Sequence, residues 1–264
     1  MGHAVSPDER TRYHADGFFV REGVFAEPEL RALRTAVEVV HAQICEAAVR
    51  PGAAPVEHID DKRYQELLGS TVKWEWREAA AEIRSMEPFL HLDARLAGLV
   101  DDPRLVEPAA GLIGEPRLSL FTDKLNFKRP GGAPFPWHQD SPYWAFGCAH
   151  LERLASLQLY LDDADEENGC LWMIAGSHRH GVLPVYQDRG TLGRLYTDVD
   201  RIPHSERVPI AAPAGSLIFF HGDVVHGSRS NRSAQSRRAL VLTYQPAGHP
   251  RWNRADVRDV RGMD

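Results

Sequence analysis

His138, Gln139 and Asp140 offer an imidazole and a carboxylate two positions apart, and in a β-strand residues i and i+2 point to the same face. A second histidine on that face would complete two nitrogens and one carboxylate on one triangular side of a metal ion, with the opposite positions open. That is the donor set of non-haem Fe(II) oxygenases. Far downstream, Phe219-Phe220-His221-Gly222-Asp223-Val224-Val225-His226-Gly227-Ser228 holds two candidates. His221 ends an apolar run. His226 lies beyond a Gly-Asp turn and precedes Gly227, where the missing side chain would let the backbone approach a bound cosubstrate. The expected third ligand is therefore His226, with His221 structural or behind the site. His14, His58, His178 and His180 are expected to be solvated or hydrogen-bonded, without a metal role. Arg232, Arg237 and Arg238 follow. A guanidinium fork can hold a carboxylate in two parallel hydrogen bonds, as a dicarboxylic cosubstrate requires. Which arginine is placed to do so depends on strand register, which these residues leave open.

The elements that must position these groups are readable in outline. Ser6-Pro7-Asp8-Glu9 has the form of a capping box, so a short helix is expected from there to about Asp16, stopped by Gly17. Phe18 to Val20 reads as a strand. A second helix is expected from near Pro28, with Leu30, Leu33, Val37, Val40 and Ile44 at helical spacing as core. Arg50 to Pro55 reads as a loop, and Lys62 to Ile83 and Leu90 to Ile113 read as mostly helical, with breaks near Pro88 and Pro103. From Leu118 the pattern changes to short apolar runs bounded by Gly, Pro, Asn or Asp: Leu118 to Phe121, Leu157 to Leu161, Leu171 to Ile174, Leu217 to Phe220 and Ala239 to Tyr244. Helices followed by many short strands predict a β-barrel or sandwich with helices packed on it. A single domain over residues 1–264 is expected, with a helical part over about 1–115 and a β-core over about 116–250.

Apolar residues at 43% and charged residues at 26% provide for a buried core, and a formal net charge of −6 argues against a nucleic-acid partner. Lysine stands only at positions 62, 73, 124 and 128, arginine supplying the other cations, which makes each lysine worth tracing. Cys45, Cys148 and Cys170 lack CxxC spacing and fit reduced thiols. With no signal-peptide pattern and no apolar run long enough to span a bilayer, a cytoplasmic protein without membrane association is expected.

Lys124-Leu-Asn-Phe-Lys128, Trp137-His-Gln-Asp140 with Tyr143-Trp144, Asp162 to His178 ending in Ala-Gly-Ser-His, and His226-Gly-Ser-Arg-Ser-Asn231 with Arg237-Arg-Ala239 together resemble the phytanoyl-CoA dioxygenase family of Fe(II)- and 2-oxoglutarate-dependent oxygenases. Asp16-Gly-Phe-Phe-Val20 extends the resemblance to the N-terminus. It implies a mainly β fold, a double-stranded β-helix or jelly roll of cupin-like form with flanking helices. It also implies Fe(II), the cosubstrate 2-oxoglutarate and O2, with iron ligands His138, Asp140 and His226. The arginine eleven residues after the distal histidine, Arg237, corresponds to the grip on the far carboxylate of 2-oxoglutarate, and Ser228 to the hydroxyl assisting it. Asn126 falls where related members contact the 2-oxo acid, and Trp144 where an aromatic wall shields the iron. Ala175 departs from the proline common before Gly-Ser-His, a change in a turn. The Asp140 carboxylate argues against halogenation.

The implied reaction is hydroxylation, or another oxidation at an unactivated C–H bond, of a small-molecule substrate of secondary-metabolite type, with release of succinate and CO2. Alternatives are an acyl-CoA hydroxylase and a non-catalytic binding protein on the same scaffold. Trp74, Trp76, Tyr143, Trp144 and Phe146 are candidates to line the substrate pocket. Arg179, Arg189 and Arg194 are candidates to meet an anionic group such as a coenzyme A phosphate. The oligomeric state is not readable from the chain.

Overall fold

The computed structural model describes residues 2–59, 62–75, 82–185, 195–202 and 206–262. Helix α1 (Pro7–Asp16) opens with the expected capping box: Ser6 Oγ accepts from the Glu9 amide and Glu9 Oε2 accepts from the Ser6 amide at 2.8 Å. Gly17 ends it with φ +89°, a value that only glycine adopts freely. Strand β1 (Phe18–Arg21) leads into α2 (Glu27–Ala48), whose buried face carries Leu30, Leu33, Val37, Val40 and Ile44 as its spacing predicts.

The expected helix over Lys62 to Ile83 is not what forms in the described part of that stretch, 62–75 and 82–83, residues 76–81 lying outside the described residues. After β2 (Glu57–Ile59) the chain makes an antiparallel meander of β3 (Lys62–Leu67), β4 (Ser70–Trp74) and β5 (Ile83–Glu87). The burial of β4 explains why, since Val72 and Trp74 point into one core while Thr71 and Lys73 point to the other side, a period of two. Helical propensity in this stretch yields to a sheet buried on one face and lining a cavity on the other. The helical reading holds between Leu90 and Ile113, as a turn at Leu90–Leu92, α3 (Ala94–Ala97) and α4 (Pro103–Ile113).

Every expected downstream run is a strand: β6 (Leu118–Asn126), β8 (Ala155–Tyr160), β9 (Leu171–Ile174), β11 (Leu217–Phe220) and β13 (Ala239–Pro246). Three more complete the set: β7 (Phe135–His138), β10 (Arg207–Ile210) and β12 (His226–Ser228). They form two antiparallel sheets, ordered β1-β11-β8-β13-β6-β5-β4-β3-β2 and β10-β9-β12-β7. The part before residue 115 thus contributes five strands to the large sheet as well as helices packed on it.

Side-chain alternation divides the large sheet. Leu157, Leu159, Leu217, Phe219, Leu240 and Leu242 face α2 and α4 in the main core. Tyr160, Ile218 and Phe220 face the small sheet and pack with Leu171, Met173, Ile210 and Val224. Tyr160 links the layers, its hydroxyl donating to Ile210 O at 3.0 Å and accepting from the Leu171 amide at 2.9 Å. Beyond this apolar plug the sheets splay around a cavity of about 380 Å3, a size that suits a small molecule. No helix among the described residues is long and apolar enough to cross a membrane.

Candidate metal centre and cavity

His138 and His226 are direct cross-strand partners on β7 and β12. Cross-strand neighbours lie within side-chain reach, and the two imidazole centroids are 4.3 Å apart. Asp140 arrives differently from expectation. β7 ends at His138, and Asp140 has helical backbone angles at the start of a short turn, α5 (Ser141–Trp144), so the pair does not share one strand face. What brings the carboxylate round is the next turn of chain: the amides of Asp140 and Ser141 both donate to Gly222 O, at 3.0 and 3.2 Å. Gly222 has no room for a side chain there, because a Cβ would lie 2.8 Å from Ser141 Oγ and 3.1 Å from the Trp144 ring.

Asp140 Oδ1 lies 3.8 Å from His138 Nε2 and 3.9 Å from His226 Nε2, and one ligand atom from each of the three residues lies within 4.8 Å of the others. Each ring's other nitrogen is tied to the backbone: His138 Nδ1 to Pro136 O at 2.8 Å and His226 Nδ1 to Val224 O at 3.0 Å. A carbonyl accepts only from a protonated Nδ1, which leaves each Nε2 lone pair directed at the shared point. Burial, then the neighbouring His226 and Lys124, hold His138 well below its ordinary pKa. It is thereby kept in the neutral, metal-binding form.

His221 stands outside this group. Its Nδ1 accepts from the Asp223 amide at 3.0 Å, and its ring lies against Tyr13 and His178. Gly227 lines the cavity and has a further reason to be glycine: a Cβ would sit 2.8 Å from the Phe135 carbonyl of the neighbouring strand. Gln139, unassigned from sequence, is fully buried between the two ligands. Its amide nitrogen donates to Gly181 O and Asp223 O at 2.8 and 2.7 Å, and its oxygen accepts from the Leu183 amide at 2.7 Å.

Along the cavity from the triad lie Asn126, Ser228 and Arg237. Arg237 is 2% exposed, and its Nε and Nη2 both donate to Gly169 O. Buried Asn126 Oδ1 has no hydrogen-bond partner among the described residues. Unpaired buried polar atoms are costly unless a ligand or water meets them. No hydrogen bond joins Ser228 to Arg237. Ser228 Oγ accepts from Lys128 Nζ at 2.7 Å, the amine also donating to Arg229 O. Lys128, likewise missed as a site residue, is pushed down to about 6 by burial and then by the Arg237 charge. Both neighbours of this corner are thus cationic or donor groups, which suits a carboxylate.

Trp144 and Tyr143 line the cavity, Trp144 also packing edge-on to Phe121 at 5.4 Å. Trp74 instead belongs to the helix-facing core, its Nε1 donating to Gln65 Oε1 at 3.1 Å, and Phe146 is exposed to solvent. Arg179 is exposed and away from the cavity wall. Trp76, Arg189 and Arg194 lie outside the described residues. Lining residues that sequence patterns missed come from β3 to β5 and from the C-terminal segment, including Lys62, Tyr64, Lys73, Arg84, Glu87 and Trp252.

This architecture has parallels among known proteins. The chain is 26% identical over 244 residues to a methylphosphonate hydroxylase of Gimesia maris, covering 92% of this chain and 82% of that one. It is 27% identical over 261 residues to an L-proline trans-4-hydroxylase of Streptomyces griseoviridis, covering 90% and 85%. It superposes on the crystal structure of EctD from S. alaskensis with bound Fe at a TM-score of 0.66 and 25% identity, covering 93% of this chain and 78% of that chain. The fold is the cupin-like jelly roll of 2-oxoglutarate oxygenases. The phytanoyl-CoA dioxygenase family model matches residues 13–239, and the chain therefore belongs to this family of Fe(II)- and 2-oxoglutarate-dependent oxygenases.

Proposed function

We propose that His138, Asp140 and His226 hold Fe(II), that Arg237 takes the far carboxylate of 2-oxoglutarate with Asn126 beside the 2-oxo acid, and that the cavity positions a small molecule for hydroxylation. The observation that carries this is the convergence of three donor atoms within 4.8 Å with both imidazoles oriented by backbone carbonyls. When bound, iron with 2-oxoglutarate and O2 supplies an oxidant able to take hydrogen from an unactivated carbon, with succinate and CO2 as by-products. The protein's residues orient, neutralise and exclude water. Arg237 gives the dicarboxylate direction, Ser228 and Lys128 fill the corner beside it, and Trp144 with Tyr143 forms the wall near the metal ligands. One catalytic domain carries all of these groups.

A cavity of about 380 Å3 favours a free small metabolite over an acyl-CoA thioester. The relatives named for methylphosphonate and L-proline hydroxylation support the same choice. A non-catalytic scaffold has no use for all three donors and the arginine. The test is succinate release from 2-oxoglutarate with Fe(II), ascorbate and a substrate panel. His138→Ala and Asp140→Ala each abolish it, and activity persisting in both variants removes the triad from the reaction. Binding of 2-oxoglutarate that is indifferent to metal argues for the scaffold reading instead.

A further inference from the structure

Folding brings the chain's four lysines to one side of the large sheet. Lys62, Lys73 and Lys124 line the cavity, and Lys128 lies buried against Ser228. The register accounts for it. Lys73 pairs with Tyr64 on β3 and with Ser85 on β5, and Ser85 pairs with Asn126 on β6. Lys124, two residues before Asn126, therefore shares the cavity-facing side.

Lys73 Nζ lies 5.1 Å from the Tyr64 ring and Lys124 Nζ 5.8 Å from the Phe135 ring. Among the described residues neither amine has a hydrogen-bond acceptor or a carboxylate at ion-pair distance. The acids of the cavity have partners: Glu87 accepts from Thr122, Asp123 from the Phe89 and Leu90 amides, Glu66 from Thr71, and Asp140 belongs to the triad. Arg84, on the same wall, stacks on Phe135 at 3.9 Å and faces Glu75 at 3.6 Å. Two ammonium groups brought together are costly, and Glu87, the acid whose charge reaches both, is itself held above its ordinary pKa by burial and so offsets them only in part. Burial, then Lys124, Arg84 and Lys62, push Lys73 well below its ordinary pKa. An incoming anion would relieve that cost.

The 2-oxoglutarate carboxylates do not fill this role in the proposed site. The Arg237 amide donates to Lys128 O, past the end of β6 at Asn126, whereas Lys124 lies within that strand. The cavity therefore meets cations in two places, at Arg237 with Lys128 nearby and on the wall that carries Lys73 and Lys124. A carboxylate suits the planar fork of an arginine, whereas two ammonium point charges suit a compact dianion with oxygens in several directions.

We propose that Lys73 and Lys124 form the substrate-recognition site, selecting a small organic molecule that carries a phosphonate or phosphate-monoester dianion. This rests on reading the cavity as the active site. The test is calorimetry on the full chain, under anaerobic conditions, with Fe(II) and 2-oxoglutarate bound, using ethylphosphonate, inorganic phosphate and propionate as probes. Ethylphosphonate is expected to bind with a Kd of about 1 mM or tighter, and propionate at least about tenfold more weakly. Lys73→Met and Lys124→Met each weaken ethylphosphonate at least about tenfold, Lys124→Arg restores most of it, and 2-oxoglutarate affinity stays within about threefold. Phosphonate affinity unchanged in both Met variants overturns the proposal, as does its absence in the parent protein. Loss of 2-oxoglutarate affinity in the same variants overturns it too, by making the lysines part of the cosubstrate site. Equal binding of propionate overturns the choice of a dianion. Should 2-oxoglutarate fail to bind the parent protein, the cosubstrate reading falls, and the same probes on the metal-free chain still decide the role of the lysines.

Discussion

Gln139→Met tests how the ligand pair is held in place. The side chain is fully buried and makes three hydrogen bonds, to Gly181 O, Asp223 O and the Leu183 amide. Methionine keeps the length and volume but removes all three. Each loss costs about 1 kcal/mol, more where the backbone group is left dry, and the partner groups are partly open to water, so the sum is about 2–3 kcal/mol. For a domain of this length that lowers Tm by roughly 5–10 °C. A second effect follows from position, because Gln139 lies between two proposed ligands and anchors both the loop at Gly181 to Leu183 and the turn at Asp223 that leads to His226. Loosening such supporting contacts weakens metal binding by about 10–100-fold. Thermal melting of the metal-free protein and titration with Fe(II) read the two effects separately. A variant with Tm within about 2 °C of the parent and unchanged iron affinity would refute the claim that these bonds hold the site. Gln139→Glu should behave no better, since a carboxylate cannot donate to the two carbonyls.

Gly227→Ala forces a Cβ to 2.8 Å from Phe135 O on the strand carrying His138, so β7 and β12 must separate; iron affinity falls at least about tenfold, read by metal titration. Tyr160→Phe leaves Ile210 O and the Leu171 amide unpaired between the sheets and costs about 2 kcal/mol in chemical denaturation, with Tyr160→Ala costing more through the cavity it opens. Glu9 is held near 2, against an ordinary 4.5, chiefly by its paired hydrogen bonds to Arg21. A carboxylate lowered in the folded state adds stability above its unfolded value and loses it as pH falls. Glu9→Gln should therefore cost about 1 kcal/mol at neutral pH, with the gap to the parent closing between about pH 4.5 and pH 2.

Local chemistry in the chain was enough for the capping box at Ser6, the stripe on α2 and the apolar runs that became β6, β8, β9, β11 and β13, because each signal is complete within a few residues. Residue types and order along the chain also pointed to His138, Asp140 and His226, which the structure brings within 4.8 Å of one another, and the family resemblance pointed to Arg237. Local chemistry misread the described part of Lys62 to Ile83, where β3 and β4 serve a sheet with a core on one side and a cavity on the other. β4 does alternate, Val72 and Trp74 against Thr71 and Lys73, but over five residues only, and β3 carries charge on both faces, with Lys62 and Glu66 on the cavity and Arg63 opposite.

What only tertiary structure decided is where side chains from distant strands meet. Pairing of β7 with β12 sets His138 opposite His226, and the Gly222 carbonyl turns Asp140 toward them after its strand has ended. Register across β4, β5 and β6 likewise gathers Lys73 and Lys124 from 51 positions apart into one wall. A lysine's charge is written in the sequence, but whether that charge is left without a partner depends on which acids fold beside it. That balance is a property of the assembled sheet, and the proposal of an anion at the wall of Lys73 and Lys124 rests on it.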